Sequence, residues 1–193
     1  MNKITLFLLL VISTISLVSC EEKFGPDVDP TPAAATIIGK WSFKSLGTIT
    51  NKKSYEMLPA DFSKIPGATS SSGDSISRAL TYEFKTDSTY IAGNDSGKWK
   101  SSSDGKTIVL TSKVSRGFDG KLQVLTFSVL NLTKNELMFG LKKFVADANG
   151  KFEDGSFEDL FDLLLGTLAL QYKGTEQEIK EVTSFQGTIN LKR

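Results

Sequence analysis

The sequence predicts a mainly β protein, an antiparallel up-and-down barrel of about eight strands with one amphipathic helix before the last strand. Three observations predict it. Apolar and polar residues alternate from Ile37 onward, turn-forming residues recur at short intervals, and one segment, Asp154 to Leu170, switches to helical spacing.

The residues before Ile37 carry a different message. Met1-Asn2-Lys3 is followed by an apolar run from Ile4 to Val18, interrupted by Thr5, Ser13, Thr14 and Ser16. One positive charge, a short apolar stretch and then small residues are the layout of a secretory signal, so residues 1–19 are read as a signal peptide and set aside from the fold. The run holds 15 residues, short of the roughly 20 that a helix needs to cross a bilayer. It ends in Leu17-Val18-Ser19-Cys20, which resembles the bacterial lipobox. In that motif the cysteine thiol takes a diacylglyceryl group and becomes the first mature residue. The small neighbours admit the peptidase. A single acyl chain holds a membrane only marginally, whereas two or more hold firmly. The expected location is therefore the outer membrane, as a lipoprotein facing either the periplasm or the cell surface.

Cys20 is the only cysteine, so an exported chain of this sequence has no intrachain disulfide and depends on its core. The 193 residues less the first 19 suffice for one domain with a substantial core. Without Lys3 the basic and acidic residues balance at 22 each, and no basic patch points to nucleic acid. Residues 20–36 form a lipidated cysteine and linker. Glu21 to Thr36 holds three of the five prolines and little that could enter a core. Extended, its 16 residues reach roughly 50 Å at about 3.1 Å per residue. Glu21 and Glu22 resemble the acidic export signals of surface lipoproteins in the Bacteroidetes; a merely solvated tether reads the same way.

The domain, residues 37–193, opens on a strand from Ile37 to Leu46. Ser54 to Asp74, with Pro59 and Pro66, reads as a long loop with one helical turn near Ala60 to Lys64. Leu80, Tyr82 and Phe84 then alternate with polar partners, and Thr86-Asp87-Ser88 turns into Thr89-Tyr90-Ile91. Strands follow at Lys98 to Lys100, Thr107 to Leu110, Leu122 to Leu132, Glu136 to Phe144 and Val182 to Lys192. A closed barrel is preferred to a sandwich because closure removes exposed edges. Between the last two strands, Phe157, Leu160, Phe161, Leu164, Leu165 and Leu168 fall at helical spacing, with Ser156 and Asp159 as a capping pattern. Leu168, Leu170 and Tyr172 also alternate and leave the end of that helix open. Leu122 to Leu130 is apolar in both phases, which predicts burial on both faces with the helix as its outer cover.

Ile38-Gly39-Lys40-Trp41 resembles the Gly-x-Trp signature of the lipocalin superfamily, and Gly97-Lys98-Trp99 repeats it. Together with the lipobox and linker, this is similar to lipocalin-like (calycin-type) lipoproteins of unknown function in the Bacteroidetes. The resemblance implies a structural role for Gly39 and for Trp41 as the plug of one barrel end. It also implies an arginine packed on that tryptophan, for which Arg193 or Lys192 is the available residue. Asp74-Ser75-Ile76 and Asp87-Ser88-Thr89 resemble the O-glycosylation site of exported Bacteroidetes proteins.

Histidine is absent, which removes triad catalysis and imidazole metal ligands. No carboxylate pair is singled out for glycoside chemistry. Asp147, Asn149, Glu153 and Asp154 cluster near Gly150 and Gly155 without the spacing of a calcium loop, and read as a solvated turn. The sequence thus indicates no catalytic residue, no metal and no cofactor. The aromatics Tyr82, Phe84, Tyr90, Trp99, Phe127 and Phe139 lie in candidate strands. They could line a ligand cavity or fill a core. Two functions follow as expectations. One is a non-enzymatic, membrane-anchored binding module for a small apolar or glycan-like ligand. The other is a component of an envelope complex, meeting a protein partner through a solid barrel.

Overall fold

The computed structural model describes residues 36–65, 67–115, 122–152 and 159–193. The signal, the lipobox, the linker to Ala35, the capping Ser156 and the acidic pair Glu153-Asp154 lie outside them.

The described chain forms nine strands, β1 (Gly39–Thr50), β2 (Ser54–Met57), β3 (Tyr82–Phe84), β4 (Thr89–Ala92), β5 (Asp95–Ser101), β6 (Thr107–Ser115), β7 (Leu122–Leu132), β8 (Glu136–Val145) and β9 (Ser184–Lys192). Four helices interrupt them: α1 (Pro59–Phe62), α2 (Ser72–Ala79), α3 (Leu160–Lys173) and α4 (Glu176–Lys180). Consecutive strands from β3 to β9 pair antiparallel, and β9 returns to β1 over Ser42–Thr50. The result is a closed eight-stranded barrel, the fold class expected from the alternation, plus one extra strand. β1 supports that strand by its length. Its first residues, Gly39–Trp41, pair with β3, and its later residues, Leu46–Ile49, pair with β2.

Inward residues alternate along each strand as the period of two requires. Trp41, Phe43, Leu46, Tyr82, Phe84, Ile108, Leu110, Phe127, Leu137, Phe139, Ile189 and Leu191 are buried in one core. A bulge at Lys44 shifts the register between Phe43 and Ser45, so that Leu46 returns to the interior while Ser45 stays outside. The ends of the barrel differ. At one end Trp41 is fully buried and donates its indole N–H to the Ile37 carbonyl at 2.7 Å. At the other, α3 lies over the mouth against β1, β2, β8 and β9.

That placement corrects one expectation. The helix does not cover the outer face of β7, where Leu122, Val124 and Leu130 remain exposed. Only its first turn, at Asp162, reaches the neighbourhood of Val124–Ser128. The reason is steric. Gly166 on α3 meets Gly187 on β9 so closely that a Cβ on Gly187 would lie 2.5 Å from the Gly166 Cα. Thr48 seals the contact by donating to the Gly166 carbonyl at 2.8 Å. Two glycines let the helix sink into the mouth, where Ala169 and Leu170 are buried and Leu163, Leu165 and Leu168 pack against the core, while Leu164 stays exposed. α3 runs on through Lys173, so Leu168–Tyr172 is helix. The long loop after β1 is also more ordered than its prolines suggest, since it contains β2, α1 and α2.

Candidate functional site

The barrel interior is the first place to look. Five of the six candidate lining aromatics point into it and are at most 3% exposed: Tyr82, Phe84, Tyr90, Phe127 and Phe139. They face one another. Phe127 and Phe139 stack at 5.0 Å between centroids, Tyr82 meets the edge of both, and Phe84 stacks on Tyr82 at 5.8 Å. Such offset and edge contacts are those of a filled aromatic core. Burial pushes the Tyr82 phenol pKa well above its ordinary value, so the ring stays neutral. Trp99 sits at the margin, half-buried, with its edge on Phe84 and its N–H on the Lys85 carbonyl.

Both ends of this core are occupied. At the Trp41 end, Arg193 lies over the indole, 4.3 Å from its centroid. The arginine expected from the resemblance is therefore brought to the tryptophan. At the other end α3 is fastened by ion pairs as well as by Thr48. Asp61, buried at the start of α1, takes both Lys173 at 3.0 Å and Lys64 at 3.2 Å, and accepts the Leu58 amide. The Lys173 hydrogen bond is the main influence holding its carboxyl below the usual range. Lys53 before β2 pairs with Glu178 of α4.

Among the described residues, two concavities outside the core stand out. One is a cleft of about 370 Å³ where β7 and β8, paired from Ser128 to Leu132, draw apart toward the plugged mouth. Asp162 reaches into it and accepts the backbone amide of Lys142 at 3.2 Å. Its carboxyl is raised by burial and by nearby Asp159.

The other is a trough of about 230 Å³ on the outer face of β2, β1, β9 and β8. Its floor is built from small and polar residues that the strand registers bring into rows. Gly47 stands beside Thr188, and Ser45 beside Asn190, which in turn stands beside Met138. A Cβ on Gly47 would run into the Thr188 hydroxyl, so only glycine leaves this floor open. Across the floor runs a relay. Asn190 Nδ2 donates to Ser45 Oγ at 2.9 Å, and Ser45 Oγ donates to the Glu56 carboxylate. Lys44 and Glu136 pair on the rim at 2.9 Å, both about half exposed. The hydrogen bond to Glu136 is the main cause of the raised Lys44 pKa.

One atom in the trough stands out. Asn190 Oδ1 is buried and has no hydrogen-bond partner, the single such side-chain atom among the described residues. Leaving a buried acceptor unpaired costs about 1–3 kcal/mol, so such a group needs a reason.

The sequence did not mark these residues. Inward Leu46 and Ile189 would place Gly47 and Thr188 outside by alternation, but the bulge at Lys44 and the pairing of β2 with the far half of β1 leave no local signal. Asp147 accepts the amides of Asn149 and Lys151, with Gly150 in left-handed conformation (φ +77°), so the acidic cluster is a self-capped turn where it is described. Among the described residues no group of three or more acidic or cysteine side chains could hold a metal ion, and no helix is long and apolar enough to cross a membrane. No family model, curated protein or solved structure matches the chain.

Proposed function

We propose that the protein is a lipid-anchored, non-enzymatic binding module of the bacterial envelope, and that its barrel is a solid scaffold which binds through its outer face. The observation that carries this reading is the core: Tyr82, Phe84, Phe127 and Phe139 fill the barrel with mutual ring contacts. Trp41 with Arg193 and α3 occupy the two ends. An apolar ligand inside would have to replace those contacts, at the cost that empties any well-packed core.

The anchor rests on the lipobox-like Leu17-Val18-Ser19-Cys20, and the outer-membrane location rests on the likeness to calycin-type lipoproteins of the Bacteroidetes. The binding role rests on the trough over β2, β1, β9 and β8 and on the absence of histidine and of any free thiol once Cys20 is acylated.

Two measurements test the reading separately. Growth with labelled palmitate should label the wild-type chain and leave Cys20→Ala unlabelled; equal labelling would remove the anchor from the proposal. The purified protein should leave the fluorescence of N-phenyl-1-naphthylamine unchanged, and saturable enhancement would show an accessible apolar cavity in place of a solid core.

A further inference from the structure

We infer that the Trp41 end of the barrel is a basic face that rests on the anionic phospholipid headgroups of the membrane holding the Cys20 lipid. The inference goes beyond the reading above and rests on it only in taking Cys20 as the anchor.

Topology gathers this face from distant stretches of sequence. The described chain enters the domain at Thr36, whose carbonyl accepts from Arg193, so the tether joins the barrel at this end. The β3–β4, β5–β6 and β7–β8 turns open on the same end. They are linked there: the Trp99 indole donates to the Lys85 carbonyl, the Val129 amide to that of Lys106, and the Arg193 amide to that of Asn135. Exposed Lys85, Lys106 and Lys134 stand in the three turns, and exposed Lys40, Lys100 and Lys192 stand on the strand ends beside them.

Little of this charge is spent within the protein. Glu136 takes Lys44, and Glu83 stands across from Lys40 on the paired strands. Asp87 accepts from Thr89, and Asp104 from Ser102 and the Lys106 amide, so both fold back on their own turns. Lys85, Lys100, Lys106, Lys134 and Lys192 outnumber them, and among the described residues none of these five lysines enters an ion pair. The plugged mouth differs. There Lys52, Lys53, Lys142 and Lys173 are each paired with an acid, Glu181, Glu178, Asp159 and Asp61 in turn.

Charge and reach select the occupant. Lysines spread around a barrel rim suit a field of phosphates better than one enclosed anion. No aromatic side chain is exposed among the described residues. That leaves no stacking platform for nucleic acid bases and no ring to insert among acyl chains, so the contact lies at the headgroups. Each lysine held within a Debye length of an anionic leaflet strengthens such a contact by about fivefold. The 15 residues from Glu21 to Ala35 span at most roughly 50 Å, which keeps headgroups at high effective concentration beside the end they join. The tether is itself acidic, with Glu21, Glu22, Asp27 and Asp29 against Lys23, and is the rival occupant of the lysines.

The test places the full lipidated chain on vesicles of phosphatidylcholine, alone or with about 30% phosphatidylglycerol. With Cys20 acylated, a fluorophore is attached through Thr86→Cys in the β3–β4 turn or Thr183→Cys before β9, both exposed and at opposite ends. Quenching by a headgroup spin-labelled lipid reports which end meets the membrane. Phosphatidylglycerol should raise quenching at position 86 about threefold or more, leave position 183 unchanged, and lose its effect at about 1 M salt. Lys85→Glu with Lys134→Glu should return quenching to the phosphatidylcholine level; Lys85→Gln with Lys134→Gln serves if the reversal fails to fold. Equal quenching on the two vesicles, as a tether covering the lysines would give, overturns the inference. So does stronger quenching at position 183, or no effect of the lysine variants. The anchor is read apart, by flotation with phosphatidylcholine alone. A chain lost from those vesicles but floated by phosphatidylglycerol removes the anchor and supports the basic face, and a chain lost from both overturns both.

Discussion

The guanidinium carbon of Arg193 lies 4.3 Å from the centroid of the Trp41 ring, and the same group donates to the carbonyls of Thr36 and Ile38 at 2.8 and 2.7 Å. Trp41 in turn donates to Ile37. One cation thereby ties the end of β9 to the residues entering β1, and caps the indole that closes this end of the barrel. Gly39 beside it has φ +129°, a conformation few residues other than glycine adopt, and an added Cβ would press on Arg193 at 3.3 Å.

Arg193→Ala should therefore lower stability by about 1–3 kcal/mol, combining a cation–π contact with lost charge-assisted hydrogen bonds. Arg193→Lys should recover little, because a lysine cannot lay a flat fork over the ring and reach two carbonyls at once. Urea denaturation of the three proteins checks this. A lysine variant as stable as wild type would mean that charge alone matters here.

This end of the barrel was legible in the sequence because its signals are local. Gly39 and Trp41 stand two residues apart on one strand, and the turn residues on either side of Leu122–Leu132 and before Glu136–Phe144 set the bounds of β7 and β8 almost to the residue. The plugged mouth was not legible. Its decisive contact joins Gly166 to Gly187, and neither glycine looks unusual in its own segment. The apolar residues of α3 and of β7 suggested each other as partners, yet the helix had a better-fitting surface in the mouth. The trough was hidden for a related reason. Ser45, Glu56 and Asn190 meet only after a bulge, a hairpin and a barrel closure have all formed.

Gly187→Ala tests the plug. Its methyl would press on the Gly166 backbone and on Leu141 Cδ1, and overpacking of this kind costs about 1–3 kcal/mol. Thr48→Val keeps the shape but removes the hydrogen bond that Thr48 adds to the helical carbonyl of Gly166, for a loss of about 0.5–1.5 kcal/mol. Both variants should raise hydrogen exchange selectively in α3. Unchanged exchange there, with global destabilisation, would show that the helix is not held by this contact.

Phe139→Ala tests the core. The ring is fully buried and touches Tyr82, Phe84 and Phe127, so its removal should cost about 3–5 kcal/mol. The space left is lined by aromatic faces and should stay dry and admit benzene, as apolar cavities do. Benzene should then raise the melting temperature of the variant and leave wild type unchanged. A stabilised wild type would reveal room in the native core.

Acid should weaken the fold through the groups that fasten the plug, and the sign can be worked out from them. The Lys53 hydrogen bond lowers the Glu178 carboxyl from 4.5 to about 2, and Lys173 lowers that of Asp61. In the window between the folded and unfolded values the unfolded chain binds more protons, so stability falls as pH drops from about 4.5 toward 2. Asp162 runs the other way. Burial raises its carboxyl, so the folded chain holds that proton longer and the charge formed above its pKa opposes folding. Glu178→Gln should flatten the acid slope and lower stability at neutral pH. Asp162→Asn should raise stability at neutral pH, because the amide oxygen can still accept from Lys142 without a desolvated charge. Urea midpoints recorded from about pH 2 to pH 7 separate the two. A loss of neutral-pH stability in Asp162→Asn would show that its ionised form, rather than its hydrogen bond to β8, holds the first turn of α3 in place.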